Sequence, residues 1–165
     1  MAASTEVHEA YGAGPTTTVA TNYNFGSTTL ANLTPATYPI TAGQNSYEKY
    51  WKVYFSGTFT KVDNLQIWKV SGVYKTNEVI KTNLTTASYS ASSYAEPVTT
   101  TSSKATYTFP TTDPGSANLG ISGSLTGSFA SAGTTDYWVC QTQTQTDTPA
   151  GAVNEKTIRV QYDEQ

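Results

Sequence analysis

Residues 46–72 read SYEKYWKVYFSGTFTKVDNLQIWKVSG, and the fold class turns on this stretch. From Glu48 to Phe55 the chain alternates: Trp51, Val53 and Phe55 fall on one side, and Glu48, Tyr50, Lys52 and Tyr54 on the other. A period of two is the mark of a strand with one face in the core. Ser56-Gly57 supplies a turn. In the next run Leu65 and Ile67 oppose Trp68 and Val70, so that strand carries apolar side chains on both faces and is expected to be covered on both. Ser71-Gly72 closes it with a second turn.

The rest of the chain extends the pattern. Residues 78–83 form a weaker strand. In ATYTF (105–109) the side chains of Ala105, Tyr107 and Phe109 are expected inward. Pro114-Gly115 fits the middle of a type II turn. LGISGSLTGSFA (119–130) alternates Leu119, Ile121, Leu125 and Phe129 with Ser and Thr, as in a strand weakened or bulged by glycine. Folding residues 134–163 about the DTPAGA turn sets Tyr137 opposite Tyr162, Val139 opposite Val160, and Gln141 opposite Ile158. This predicts a C-terminal β-hairpin. QTQTQT (141–146) has no apolar face, so it is expected to project from the body or to pair with another molecule. Residues 1–15 lack periodicity and read as an N-terminal arm, ordered on assembly. Residues 16–165 then form one domain: an all-β antiparallel β-sandwich of about eight strands, Ig-like or jelly-roll-like, with Trp51, Trp68 and Trp138 as core anchors.

Composition agrees. In 165 residues there are 31 Thr, 16 Ser and 12 Tyr, while charged residues make up 13%, about half the ~25% of an average soluble protein. Thr and Tyr suit a pleated, half-buried surface. Aromatic content and a net charge of only -3 argue against disorder.

The scarce residues narrow the chemistry. His8 is the single histidine and Cys140 the single cysteine, so triads, thiol–imidazole pairs and convergent metal ligands are not expected. Cys140 sits in YWVCQ and reads as a buried, inert thiol. Gly120, Gly123 and Gly127 do not make a phosphate-cradling loop. The carboxylates are scattered rather than paired. Six of the nine basic residues lie between Lys49 and Lys81, too thin a patch for nucleic acid. No stretch is long and apolar enough for a bilayer-spanning helix, and no basic, apolar leader precedes residue 48. The expectation is a non-enzymatic protein made in a cytosol, with no cofactor and no metal.

LTPATYPITAGQNSYEKYWKVYFSG (33–57), VDNLQIWKVSG (62–72) and TPAGAVNEKTIRVQYDEQ (148–165) resemble small all-β virion structural proteins of tailed bacteriophages. The resemblance implies a capsid decoration or virion-surface protein, made in the host cytoplasm and located on the virion. Its partners would be the major capsid protein and copies of itself, with no nucleic acid and no membrane. The residues offer candidate contacts for such a role. Tyr50 and Tyr54 lie on the polar face of the first strand, Tyr89 and Tyr94 in the Ser/Ala/Tyr-rich segment 85–104, and Gln141, Gln143 and Gln145 in the polar strand. The same tyrosines would suit an alternative, a β-sandwich module that binds surface glycans.

Overall fold

The computed structural model describes residues 2–12, 16–84, 103–152 and 154–165. The fold is all-β. Among the described residues the strands are β1 (Ser4–Tyr11), β2 (Thr16–Val19), β3 (Lys49–Ser56), β4 (Val62–Ser71), β5 (Glu78–Asn83), β6 (Tyr107–Thr108), β7 (Gly133–Thr134), β8 (Trp138–Thr144) and β9 (Thr157–Glu164). They form two antiparallel sheets. The larger runs β2-β1-β3-β8-β5-β6, with β7 added to the end of β3, and the smaller is β4-β9. The sheets meet in a sandwich-like arrangement.

The core follows the alternation of residues 48–55. Trp51, Val53 and Phe55 of β3 join Trp138 and Cys140 of β8 and Ile80 of β5 on the inner face of the large sheet. Val62, Leu65 and Ile67 of β4 meet them from the other layer. Ile158, Val160 and Tyr162 of β9 complete that layer at the margin, with the Tyr162 ring set edge-on against Phe55 at 5.0 Å. Trp51 and Trp138 stack obliquely at 6.1 Å in the centre. Trp68 is buried as expected, but outside this cluster, under the Arg159 guanidinium. β4 is buried on both sides from Leu65 to Trp68, but Val70, expected to share the Trp68 face in the interior, is exposed; its second edge is taken up by backbone hydrogen bonds from Asn118, Leu119 and Phe129.

The turn residues act locally. At Gly72 φ is +87°, and a Cβ would collide with the Glu155 carbonyl oxygen, so both the turn and the approach of the chain before β9 require glycine. Gly115 adopts φ +69°, as the third residue of a type II turn must.

Three expectations fail, two of them because buried polar groups disguise strands. Residues 4–11 are not an arm. They form β1, which pairs with β3 from Ser4↔Ser56 to Ala10↔Tyr50 and with β2 on its other side. Val7 and Glu9 point inward there, and the buried Glu9 carboxylate, which breaks the apolar pattern, is held by Lys49 Nζ at 2.7 Å.

The C-terminal hairpin is not formed either. β8 pairs with β3 and β5, and β9 pairs with β4. The apolar residues that seemed to face one another across a hairpin belong to opposite layers. QTQTQT, finally, does not project: Gln141 and Thr142 are buried in the large sheet, where hydrogen bonds from the neighbouring chain replace the missing apolar face. Smaller corrections concern residues 105–130. Tyr107 is exposed, and residues 119–129 make isolated bridges rather than a strand.

Candidate interaction surface

The outer face of the large sheet gathers most of the candidate residues. Strand parity places Ala10, His8 and Glu6 of β1 beside Tyr50, Lys52 and Tyr54 of β3. Val139, Gln141 and Gln143 of β8 continue the same face, followed by Val79 and Lys81 of β5. This face has two halves with different chemistry.

One half is locked. Glu48, just before β3, is fully buried, and its Oε1 accepts hydrogen bonds from the backbone N–H groups of Lys104 and Ala105. Tyr50 donates its hydroxyl to Glu48 Oε2 at 2.9 Å. The Ser103 hydroxyl lies 2.8 Å from both Glu48 Oε1 and Gln141 Oε1 and, with one hydrogen, donates to one at a time. Gln141 Nε2 donates to the Ser46 carbonyl at 2.9 Å, and Gln143 Nε2 donates to Gln141 Oε1 at 3.0 Å. A buried carboxylate is tolerable only when its oxygens are satisfied in this way. The residues 103–105 therefore act as a cover, seated on Tyr50 and Val139 through Ala105.

Tyr50 and Gln141 are thus unavailable to a partner. Both were expected on a contact surface, and both have no exposed area. The aromatic body and the amide that suit an interface here fill an internal one. Gln143 is half-buried, and Gln145, past the end of β8, is exposed. Tyr89 and Tyr94 lie outside the described residues.

The other half is open. Tyr54 is half-buried, with its ring 5.4 Å from that of His8. His8 Nε2 lies 3.2 Å from the Glu6 carboxylate. Lys52 places its ammonium 5.0 Å above the Tyr137 ring, and the Tyr137 hydroxyl reaches within 3.5 Å of Thr17 Oγ1 on β2. These side chains share the outer face, with the His8 and Tyr54 rings tilted by 34° to each other, an ammonium over the Tyr137 ring and the Glu6 carboxylate beside His8. Tyr54 was legible in the sequence. His8 and Tyr137 were not among the sequence candidates for this face, although parity offered a signal, since Tyr137 shares the face of Val139, Gln141 and Gln143.

The buried thiol matches its expectation. Burial pushes the Cys140 pKa up to about 12, with the thiol donating to Thr82 Oγ1 at 3.4 Å, which keeps it protonated and unreactive at neutral pH. Lys49 is pulled below its ordinary value by desolvation, which outweighs the neighbouring Glu9 carboxylate. Among the described residues no three His, Cys, Asp or Glu side chains converge on a point that could hold a metal ion. Two shallow depressions, about 360 and 410 Å³, are lined by Asp63, Asn64, Ser116 and Leu125 and by Thr82, Leu84, Tyr107 and Asn118 respectively. They offer hydrogen bonds and apolar contact.

No protein-family model, no curated protein and no solved structure matches this chain.

Proposed function

We propose that the chain is a non-enzymatic virion structural protein of a tailed bacteriophage, a capsid decoration protein that binds the major capsid protein and neighbouring copies of itself. It is made in the host cytoplasm and carried on the virion. The resemblance of residues 33–57, 62–72 and 148–165 to such proteins suggests the setting. The observation that carries the reading is the open half of the outer face, where the partly exposed Tyr54, His8, Lys52 and Tyr137 group rings and polar side chains on one side of the sheet. Surfaces with aromatic anchors suit protein contact, because a few rings supply most of the binding energy. A polar, weakly charged rim avoids the cost of desolvating ions.

Purified virions of the phage that encodes the chain are expected to contain it in stoichiometric copy number by quantitative mass spectrometry. Its absence from washed particles overturns the proposal. Tyr54→Ala with Tyr137→Ala is expected to weaken retention on particles by roughly tenfold or more. The same group of rings favours a second reading, a glycan-binding module, since Tyr54 and Tyr137 could stack on sugar rings while Lys52 and Glu6 meet hydroxyls. Binding on a glycan panel that the double variant abolishes, with no retention on particles, would establish that reading instead.

A further inference from the structure

The edges of the large sheet are short, four residues in β2 and two in β6. β9 is different. It runs eight residues, pairs on one side with β4, and has no backbone partner on its other side among the described residues. No residue of β9 is buried. The register shifts in the β4–β9 pair set Asn64 and Leu65 against the single residue Tyr162 and leave Val70 without a counterpart, so both extra residues lie on β4 and β9 itself is a regular ribbon. Natural sheets blunt such an edge with bulges, prolines or inward charges; β9 has neither proline nor bulge, and its one charge on the inward parity, Glu164, stands at its last position and accepts from the Ala3 N–H.

We infer that β9 is a self-association edge and that its occupant is β9 of a second copy, paired antiparallel across a two-fold axis at Gln161. The parity of the ladder sets the first condition. Gln165 directs its N–H and its carbonyl toward Lys61 and Thr60, so alternation turns the backbone groups of Ile158, Val160, Tyr162 and Glu164 outward. In a pairing centred on Gln161, Val160 meets the second copy's Tyr162, and Ile158 meets its Glu164, as hydrogen-bonded pairs.

Charge sets the register. With Gln161 on the axis, Arg159 stands directly opposite the second copy's Asp163 on the exposed face, and the pair occurs twice. Arg159 has no carboxylate partner among the described residues and is held in place over the Trp68 ring at 5.5 Å. Asp163 accepts from Asn64 through Oδ2 and keeps Oδ1 for an incoming guanidinium. Opposite charges directly across a ladder stabilise it, and like charges oppose it. The same pairing covers the half-buried Val160 and Tyr162 at the margin of the core and joins the two β4-β9 sheets into one of four strands. An isologous contact of this kind closes on itself.

The inference deepens the proposed binding to neighbouring copies, but its test uses the purified full chain without particles, so its failure leaves capsid binding untouched. Sedimentation equilibrium is expected to show a reversible dimer. Arg159→Asp and Asp163→Arg alone are each expected to give monomers, whereas an equimolar mixture of the two, or the double variant, regains the dimer. Gln161→Lys, which sets like charges on the axis, is expected to weaken association by roughly tenfold. Thermal unfolding of each variant at low concentration separates dimer loss from misfolding. Independently, Gln161→Cys is expected to oxidise to a covalent dimer, because unbonded antiparallel pairs bring Cα atoms within disulfide range. A chain monomeric at all accessible concentrations, or a dimer indifferent to both charge reversal and Gln161→Lys, overturns the proposal.

Discussion

β8 and β9 are neighbours in sequence and opposites in structure. β8 ends in Gln-Thr-Gln-Thr, yet Gln141 and Thr142 are buried in the large sheet between β3 and β5. β9 alternates Ile158, Val160 and Tyr162 with polar residues, as a half-buried strand should, yet it lies at an edge with every residue accessible. Polarity therefore does not decide which strand is interior; the supply of hydrogen-bond partners does. β8 has Ser46 and Ser103 beside it to satisfy the Gln141 side chain and the Thr142 N–H. β9 has an unused ladder on one side among the described residues.

The contrast can be broken most severely at the carboxylate beside β8. Glu48→Ala strands the Tyr50 hydroxyl and two backbone N–H groups in a dry site. It is expected to cost about 3–5 kcal/mol in urea unfolding, since each buried unsatisfied donor costs roughly 1–3 kcal/mol. Gln141→Ala, on β8 itself, removes the donor to the Ser46 carbonyl and the acceptor of the Gln143 amide, and about 2–3 kcal/mol is expected by the same measurement. Loss below 0.5 kcal/mol in either case would mean that water fills the site and that the network is not dry.

Cys140 sharpens the comparison through pH. Its folded pKa of about 12 lies above the ordinary 9.0, so the unfolded chain releases the thiol proton first and stability falls as pH rises above 9. Between pH 9 and 10 the expected loss is roughly 1 kcal/mol. Lys49 acts with the opposite sign, because its lowered value makes the unfolded chain hold its proton longer. The thiol contribution is therefore read as the difference between the wild type and Cys140→Ala across that window. A thiol reagent should label Cys140 only in denaturant. At the small end, Gln161→Ala on β9 is expected to leave monomer stability within about 0.5 kcal/mol. A larger loss, measured at a concentration where the chain is monomeric, would show that β9 is less free than its exposure implies.

Local patterns were legible in the sequence and partner choice was not. The alternation of Trp51, Val53 and Phe55, the three buried tryptophans, and the turns at Gly57, Gly72 and Gly115 follow from residues a few positions apart. Two kinds of information were missing. A buried Glu9, Lys49 or Glu48 looks like a solvent-facing charge until its partner is known, and that partner is remote: residue 49 for residue 9, and residues 103–105 for residue 48. Apolar complementarity between β8 and β9 also fits two geometries, side by side in one sheet or face to face across two layers. The sequence of a hairpin cannot distinguish them when the connection is long. Of the candidate contacts, Tyr54 survives as a surface residue because its neighbours on β1 leave it partly uncovered, whereas Tyr50, four residues away on the same face, is sealed by Ala105.

The Glu9–Lys49 pair has a kinetic meaning. Both side chains are almost wholly excluded from solvent, and Lys49 also donates to the Leu30 carbonyl while Glu9 accepts from Asn32. A chain in which β1 has detached leaves the buried Lys49 ammonium without its carboxylate, a state several kcal/mol above the native one. Opening of β1 is therefore not a local fraying event. Its amides are expected to exchange hydrogen in the same slow class as those of β3, and Glu9→Gln should shift both sets together. The first strand of the chain is then part of the last structure to be lost.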